Sequence, residues 1–405
     1  MHDSELIVGL DIGTTKVAAI VGDCGPDNVD IVGIGTHVSR GLRRGVVTHI
    51  EHTTESIKRA IEEAELMAGC SISTVVAGIA GTHVASTNSH GIVAIRGNEV
   101  DEEDLQRVID AAKAVAIPMD REIIHVIPQD FIIDGQDGVR QPLGMSGVRL
   151  EARVHIVTVA SASAQNILKC CERCDLHVSE LVLQPLASAT SVLSDEEREF
   201  GAILIDIGGG TTDVTVFREG AIVHSLILPV GGNHISNDIS VGLRTPTSEA
   251  ELIKCHWGNA DRFAVDANEL IQAPSVGGRP PRTLQRKILS DIISPRVEEI
   301  FELIRQNIDE HGYEDVLAKG TVLTGGGSHL KGISEVAARV LNSPIRCGQP
   351  EGVGGLRDVV CDPKFSTAVG LIQHTLIEHT IYKPHVRRGS GQFRDKVRDF
   401  FSRVF

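Results

Sequence analysis

The feature that most constrains the fold of this chain is a pair of acidic, glycine-rich turns of nearly the same form. They read DIGTTK at 11–16 and DIGGGTTD at 206–213, and each follows an apolar run typical of a buried strand. A glycine-rich turn can bring backbone N–H groups close to a phosphate, and threonine hydroxyls add donors. An aspartate at the strand end can meet a phosphate-bound Mg²⁺, usually through water. The pair predicts two related halves that grip one nucleotide from both sides.

A third glycine-rich turn supports this prediction. An apolar strand pattern at 321–324 runs into Gly325, Gly326, Gly327 and Ser328, and a helical pattern follows. Glycines here would let the backbone lie flat against a purine or a ribose. The alternative for any single turn is a hinge between a strand and a loop. The common nucleotide motifs, G-x-x-x-x-G-K-[ST] and a G-x-G-x-x-G between strand and helix, are missing.

The order of these motifs resembles that of the actin-like ATPase superfamily, which includes actin, sugar kinases and heat-shock chaperone ATPases. The two acidic turns resemble its phosphate loops, and VLTGGGSHLKG at 322–332 resembles its adenosine loop. The resemblance implies an α/β, actin-like, two-lobed ATPase fold built from duplicated ribonuclease-H-like domains.

Two further segments resemble the connections between the halves of that fold. LVLQPLASA at 181–189 resembles the first, with Gln184 where the superfamily keeps a water-positioning residue. PKFSTAVGL at 363–371 resembles the second, in which the small residues Ala368 and Gly370 would allow helices to cross closely. The matches run from residue 11 to residue 371 and so cover nearly the whole chain.

The position of the additional material distinguishes members of the superfamily. Actin and MreB insert a subdomain between the third strand and the first helix, but only 37–49 separates those elements here. The extra material lies at 84–161, with three strand-like runs around one predicted helix at 102–116. A relocated subdomain of this kind resembles the bacterial cell-division FtsA family, as does the loop SRGLRRGVV at 39–47.

The last fourteen residues, QFRDKVRDFFSRVF, predict an amphipathic helix that can lie in a membrane interface. Its apolar face consists of Phe393, Val397, Phe400, Phe401, Val404 and Phe405, and its basic residues are Arg394, Lys396, Arg398 and Arg403. Residues 382–405 hold seven Lys or Arg and two Asp, whereas the chain carries a net charge of −15. The basic charge therefore lies where contact with anionic lipid would need it. The alternative is a terminal helix docked on the protein or on a partner, but the FtsA family ends in such a membrane-targeting helix.

The resemblance predicts six segments. Residues 1–83 and 162–198 would form the first core lobe, and 84–161 an inserted small subdomain used for polymerisation. Residues 199–242 and 321–382 would form the second core lobe, with 243–320 as its small, peptide-binding subdomain. Residues 383–391 would be a flexible linker to the amphipathic helix at 392–405.

The resemblance implies ATP with Mg²⁺ between the lobes, with Asp11 and Asp206 holding the metal through water. The catalytic residues would be Asp11, Asp206 and Gln184, and a neutral glutamine is a poor base, so any ATP hydrolysis would be slow. The expected nucleotide contacts are Asp11, Gly13, Thr14, Thr15, Lys16, Asp206, Gly208, Gly209, Gly210, Thr211, Thr212, Gly231, Gly232, Glu251, Lys254, Gly325, Gly326, Gly327 and Ser328. Lys16 would neutralise phosphate charge or point to solvent. Glu251 and Lys254 would contact the nucleoside or form an ordinary surface ion pair.

The family resemblance also implies partners: other copies in a head-to-tail filament, anionic lipid, further division proteins, and the C-terminal peptide of the tubulin-like protein FtsZ. Arg296 and Arg305, on a helix predicted at 294–310, are candidates to meet that acidic peptide. The protein would work at the cytoplasmic face of the bacterial inner membrane, at the division septum. The alternatives are a scaffold of the pilus-assembly type and a small-molecule kinase of the same superfamily.

Composition agrees with these expectations. The 405 residues suggest at least two domains, and no apolar run is long enough to span a membrane. The N-terminus has no basic region before its apolar stretch, so no signal peptide is expected. Cys171 and Cys174 form a C-x-x-C without a second pair, which favours reduced helix thiols over zinc or redox use. A chain with a net charge of −15 and only three residues that are Trp or Tyr is not expected to bind nucleic acid.

Overall fold

The computed structural model describes residues 5–25, 28–275 and 280–381. The predicted linker at 383–391 and the predicted amphipathic helix at 392–405 therefore lie outside the described residues. Within the described ranges, no helix combines the length and the apolar content that crossing a membrane requires.

The first lobe, the insertion and the return to the first lobe follow one another along the chain. The first lobe begins with β1 (Glu5–Ile12), β2 (Lys16–Cys24), β3 (Val29–Val38), β4 (Leu42–Arg43), β5 (Val46–Val47), α1 (Ile50–Ala68) and β6 (Thr74–Ile79). The insertion contains β7 (Ala85–Ala94), α2 (Glu102–Lys113), β8 (Arg121–Ile133), β9 (Gln136–Val139) and β10 (Arg149–Ala160). The chain then returns with α3 (Ser161–Glu172), β11 (His177–Leu183), α4 (Gln184–Val192) and α5 (Asp195–Phe200).

The second lobe follows, and the last helix packs back against the sheet of the first lobe. Its first elements are β12 (Ala202–Ile207), β13 (Thr212–Arg218), β14 (Ala221–Leu228), α6 (Gly232–Leu243), α7 (Thr247–Trp257), β15 (Leu270–Ala273), β16 (Arg282–Gln285) and α8 (Arg286–Glu310). They are followed by α9 (Glu314–Leu317), β17 (Thr321–Thr324), a 3₁₀ helix (Gly326–His329), α10 (Ile333–Leu341), β18 (Ile345–Cys347), β19 (Gly354–Gly355), α11 (Arg357–Val360), a second 3₁₀ helix (Pro363–Phe365) and α12 (Ser366–Ile381).

The two largest sheets repeat one strand pattern. Their orders are β11-β6-β1-β2-β3-β19 and β14-β13-β12-β17-β18. In each sheet three antiparallel strands, β1 to β3 or β12 to β14, continue into a strand parallel to the first, β6 or β17. The repeat confirms the prediction of two related halves, and it places both acidic turns at equivalent hairpins, β1–β2 and β12–β13.

The strands that carry these turns form because their sequences are apolar and can be buried on both faces. In β1 the last six residues are buried, and in β12 all but Asp206 are buried. Helix α1 begins at Ile50, next to His49, whose ring accepts a hydrogen bond from the His52 amide. It ends at Gly69, whose φ of 66° is a left-handed conformation that favours glycine.

The insertion is a small unit of its own within the predicted range 84–161. Its four antiparallel strands lie in the order β7-β10-β8-β9, and α2 packs on one face. A capping box between Asp101 and Asp104 starts α2. The helix lies close to the sheet at Gly91, where a Cβ would be 2.3 Å from the carbonyl oxygen of Val108. The division into six segments stays a prediction.

The two connecting helices cross closely, as predicted from their small residues. A Cβ at Gly370 in α12 would lie 1.8 Å from the carbonyl oxygen of Ala187 in α4. Ala368 is fully buried, and its carbonyl oxygen would be 2.4 Å from a Cβ at Gly9 in β1. The crossing brings both helices beneath the space between the two acidic turns.

Candidate functional site

A cavity of about 350 Å³ lies between the two lobes, where all three glycine-rich turns meet helices α6 and α7. Most of the residues predicted from the sequence to bind nucleotide or to act in catalysis line this cavity. They are Asp11, Gly13, Thr14, Thr15, Lys16, Gln184, Asp206, Gly208, Gly209, Gly210, Thr211, Gly232, Glu251, Lys254, Gly325, Gly326 and Gly327. The fold therefore brings together the three glycine-rich turns and helices α4, α6 and α7.

Three of the predicted residues do not line the cavity. Thr212 is fully buried, and its Oγ1 donates to the carbonyl oxygen of Val230 at 2.8 Å. The Ser328 hydroxyl donates to the carbonyl oxygen of Gly325 at 2.7 Å and so stabilises the third turn from inside. Gly231 lies behind the second turn, because a Cβ there would be 2.6 Å from the backbone of that turn. These residues shape the wall of the cavity.

The two acidic turns face each other directly. A Cβ at Gly209 would lie 1.8 Å from Oγ1 of Thr15, and one at Gly210 would lie 2.5 Å from Oγ1 of Thr14. The amide of Gly45 donates to Thr14 Oγ1 at 3.1 Å and orients that hydroxyl. Because glycine has no side chain, the backbone of the second turn can approach the threonines of the first.

Three carboxyl groups lie at the floor of the cavity, those of the buried Asp11 and Asp213 and of the half-buried Asp206. The pairing of β12 with β13 sets Asp206 directly opposite Asp213, and Asp11 comes from the equivalent position of β1. The pKa of Asp206 is raised to about 6, chiefly by burial and also by the charge of Asp11, while the hydrogen bond from Ser188 opposes the rise. Burial also raises the pKa of Asp11, and it raises the pKa of Asp213 well above its usual range. Burial disfavours negative charge, so this arrangement favours a bound cation.

One oxygen in this group has no hydrogen-bond partner. Asp213 Oδ1 is buried and unpaired among the described residues, whereas Asp206 Oδ2 accepts from Ser188 at 2.7 Å. An unpaired carboxylate oxygen beside two other buried carboxylates fits a site that a cation completes. In the described ranges no three His, Cys, Asp or Glu converge closely enough to bind a metal ion directly. A hydrated Mg²⁺, whose waters meet the carboxylates, suits such a site.

The Lys16 side chain points into the cavity rather than to solvent. Its Nζ lies 3.4 Å from Oδ2 of Asp11 and 4.9 Å from the centre of the Phe365 ring. Lys16 therefore offsets part of the negative charge at the floor, and the same ammonium group is available to a phosphate.

Gln184 reaches the same carboxylate from the other side. As the first residue of α4, it donates from Nε2 to Oδ1 of Asp11 at 3.1 Å. Gly78 on β6 makes room for the side chain, because a Cβ there would be 2.9 Å from the Gln184 Cγ. Gln184 and Lys16 thus use different oxygens of Asp11, which fixes that carboxylate in one orientation.

Glu251 and Lys254 form more than an ordinary surface ion pair. Lys254 Nζ lies 2.7 Å from Glu251 Oε2, 3.0 Å from the Ser236 hydroxyl and 3.1 Å from the carbonyl oxygen of Gly232. These contacts join α7 to the start of α6. Both charged groups line the cavity and can hydrogen-bond the hydroxyls of a ribose.

The sequence analysis missed several residues of the cavity. Asp213 is the last residue of the DIGGGTTD motif, and its place in that motif was the available signal. Ser188 and Thr367, which hydrogen-bond Asp206, lie in segments that resemble only the connections between the halves. His329, Lys364 and Asn233 line the cavity from the third turn, the second 3₁₀ helix and α6. No local pattern marks these three as site residues.

Two other expectations change in the structure. Arg296 already forms ion pairs, with its Nε 2.7 Å from Asp238 and a second contact to Glu299, so an acidic peptide would compete with these carboxylates. Its helix, α8, begins at Arg286 instead of near 294. Arg305 donates to the carbonyl oxygen of Val340 at 3.0 Å.

The C-x-x-C pair lies at the end of α3. Both thiols are free, and burial raises the pKa of Cys171 to about 12 and that of Cys174 to about 11. Protonated thiols of this kind are poor metal ligands and poor nucleophiles.

Comparison with known proteins gives consistent results. The family model described as "Cell division protein FtsA" matches residues 203–370, and the model described as "SHS2 domain inserted in FTSA" matches residues 81–158. The chain is 52% identical to the cell division protein FtsA of Pseudomonas aeruginosa over 377 residues, which are 93% of this chain and 90% of that protein. It is 43% identical to FtsA of Escherichia coli K12, with 93% and 92% covered, and 37% identical to FtsA of Bacillus subtilis, with 92% and 84% covered.

Solved structures confirm the actin-like fold. The type IV pilus biogenesis complex PilM–PilN matches with a TM-score of 0.67 at 16% identity, covering 91% of this chain and 98% of that one. MreB5 of Spiroplasma citri bound to ADP matches with a TM-score of 0.56 at 14% identity, covering 93% and 97%. At these identities the likeness concerns the fold alone and does not favour a pilus scaffold. The identity to the curated relatives over nine-tenths of the chain shows that it belongs to the FtsA family of bacterial cell-division proteins.

Proposed function

We propose that this protein binds Mg-ATP between its lobes, polymerises on the inner face of the cytoplasmic membrane and tethers FtsZ filaments there while the septal ring assembles. The observation that carries the proposal is the cavity in which the two acidic turns and the third glycine-rich turn meet. The family relationship supports a role in cell division.

Nucleotide binding is supported from two directions. The three carboxyl groups at the cavity floor, one with an unpaired oxygen, suit a hydrated Mg²⁺, while Lys16 and the backbone amides of both turns suit phosphates. The fold is shared with MreB5 structures described as bound to ADP and to AMPPNP. Bound Mg²⁺ would neutralise charge on the phosphates. Gln184, which is neutral and already bonded to Asp11, would orient water without acting as a strong base, so we expect weak turnover.

The other activities are assigned to separate parts of the chain. The insertion at 84–161 would provide the contact between copies in a head-to-tail filament. The segment 243–320 would bind the FtsZ C-terminal peptide, and the helix at 392–405 would bind anionic lipid. A single interfacial helix is a modest anchor, so polymerisation would strengthen it through avidity.

Co-sedimentation tests the adaptor function directly. The full-length chain, Mg-ATP, anionic vesicles and a fluorescent FtsZ C-terminal peptide are mixed and centrifuged. We expect the peptide to sediment only when both the protein and the vesicles are present. A peptide of scrambled sequence and vesicles of neutral lipid are the controls.

The outcomes separate the parts of the proposal. If the protein sediments with vesicles but leaves the peptide in solution, the tethering of FtsZ is wrong. If the protein stays in solution with anionic vesicles, membrane binding is wrong. A parallel titration with Mg-ATP in the absence of lipid tests the nucleotide site alone.

A further inference from the structure

A histidine of the insertion contacts the first lobe at one main-chain amide. His125 lies on β8 with 1% of its surface exposed, and its Nε2 accepts a hydrogen bond from the amide of Leu183 at 2.9 Å. Accepting this bond requires a lone pair on Nε2 and therefore a neutral ring. Burial keeps the ring neutral, since it lowers the pKa of His125 to about 3.

The amide that His125 holds lies one residue before Gln184, which lines the nucleotide cavity. Leu183 is the last residue of the edge strand β11, and the next residue, Gln184, begins α4. The N-cap of α4 has no side-chain hydrogen bond of its own. The His125 ring is the side chain that hydrogen-bonds the backbone where β11 meets α4. His125 is thus linked to Asp11 in a short chain of contacts. The His125 ring accepts from the Leu183 amide, Leu183 is bonded to Gln184, and the Gln184 side chain donates to Asp11.

The insertion is also fixed to the second lobe, through different residues. His155 on β10, likewise 1% exposed, has Nδ1 at 2.7 Å from Asn88 Oδ1 and Nε2 at 3.0 Å from the Ser225 hydroxyl. Asn88 donates to the carbonyl oxygen of Val223 at 2.9 Å, and Ser86 donates to that of Ser225 at 3.1 Å. Ser225 and Val223 belong to β14, the edge strand of the second sheet. The insertion therefore bridges an edge strand of each lobe.

We propose that His125 is a positioning residue for nucleotide turnover: it holds the junction of β11 and α4 so that Gln184 reaches the Asp11 carboxylate, and the insertion thereby sets the rate at the cavity. The proposal rests on the proposed binding of Mg-ATP and on the role of Gln184 in orienting water. It assigns to the insertion an influence on turnover in addition to any contact with a second copy of this chain. If the insertion moved, His125 would pull on the Leu183 amide, and Gln184, the next residue, would shift relative to Asp11.

Four variants test this role. His125→Leu removes the acceptor, whereas His125→Gln keeps one, because the glutamine amide oxygen can take the place of Nε2. His155→Leu is the matched control, since it removes an equally buried imidazole from the same insertion but on the side of the second lobe. Gln184→Ala is combined with His125→Leu in a double-mutant cycle.

Two readouts are measured for each variant. The first is phosphate release per bound ATP in a single turnover, together with the Kd of Mg-ATP. The second is hydrogen exchange in peptides that span β11 and the start of α4, which reports the Leu183 amide without requiring turnover.

We expect His125→Leu to leave the Kd within about threefold and to slow phosphate release about tenfold or more, because a small displacement of a water-orienting group reduces rate steeply. His125→Gln should restore most of the rate, and His155→Leu should keep it. The double variant should be no slower than Gln184→Ala alone. The Leu183 amide should exchange faster in His125→Leu than in His155→Leu.

Equal losses of rate in His125→Leu and His155→Leu, or additive losses in the double variant, would overturn the proposal, because they would indicate general loosening. A normal rate in Gln184→Ala would overturn it as well. If the wild-type protein binds Mg-ATP but releases no phosphate, the proposed turnover is wrong. Hydrogen exchange then decides whether His125 positions the junction before Gln184, and unchanged exchange of the Leu183 amide in His125→Leu would reject that role.

Discussion

Thr15 and Gly209 are in contact across the interface between the lobes, so that a methyl group at position 209 would lie 1.8 Å from Oγ1 of Thr15. Each residue belongs to one of the two acidic turns. The closed arrangement of the lobes therefore depends on the absence of a side chain at Gly209, and the threonine hydroxyls of one turn complete the surface of the other.

We expect Gly209→Ala to hold the two turns apart and to weaken Mg-ATP binding by about tenfold or more, since a lost 1.4 kcal/mol corresponds to a factor of ten. Isothermal titration of the purified variant measures this effect. Gly97→Ala is the control, because a Cβ there would meet nothing closer than 3.7 Å. Wild-type affinity in Gly209→Ala would mean that the turns can separate without loss of binding.

Asp213→Asn should change stability and binding in opposite directions. Removing one of three crowded, buried carboxyl groups relieves the cost of burying charge, so the nucleotide-free variant should melt a few degrees higher than the wild type. The same change removes negative charge that a hydrated Mg²⁺ would neutralise, so Mg-ATP affinity should fall. Calorimetry with and without Mg-ATP measures both effects, and Asp137→Asn at an exposed position of β9 is the control.

Lower affinity together with lower stability in Asp213→Asn would contradict this account, because the carboxyl group would then be a structural element of the nucleotide-free protein. An unchanged affinity would place the cation away from Asp213.

The stability of the fold should decrease in mild acid partly because of His125. In the folded protein its pKa is about 3, whereas an accessible imidazole titrates near 6.5. Between these two pKa values the unfolded chain binds one more proton than the folded protein, so the free energy of unfolding increases with pH. The contribution of His125 to stability is therefore lost progressively as the pH falls below about 6.5. From pH 7 to pH 4.5 this one group should account for roughly 2–3 kcal/mol, at 1.36 kcal/mol for each pKa unit.

Denaturant unfolding of His125→Gln across that pH range measures the contribution of His125. The variant should lose less stability than the wild type on acidification, while His177→Gln, at an exposed position, should follow the wild type. Identical slopes for the wild type and His125→Gln would show that the buried ring does not resist protonation.

The C-terminal fourteen residues should hold the protein on anionic membranes. Full burial of a large apolar side chain contributes roughly 1.5–3 kcal/mol, interfacial burial contributes less, and each nearby basic residue adds about 1 kcal/mol. Phe400→Glu places a charge in the apolar face and should release most of the protein in a vesicle flotation assay. Phe401→Glu should act similarly, and Ser402→Glu on the polar side should do much less.

Added salt should weaken the membrane binding only in part, because apolar and electrostatic terms both contribute. If Phe400→Glu floats with vesicles as the wild type does, the helix is docked elsewhere and another part of the chain holds the membrane.

The sequence by itself determined the local elements of this protein: the two acidic turns, the strands that precede them, the third glycine-rich turn and the small residues at the helix crossing. These follow from apolar runs, from glycine's conformational freedom and from spacing along a few adjacent residues. Only the tertiary structure decided which side chains meet. Asp213 lies at the cavity floor because the register of β12 and β13 sets it opposite Asp206. Arg296 forms an ion pair with Asp238 on a neighbouring helix, and His125 of the insertion accepts a hydrogen bond from the Leu183 amide of the first lobe. Such contacts join residues far apart in the chain, and their partners are fixed by packing, which no local pattern of residues encodes.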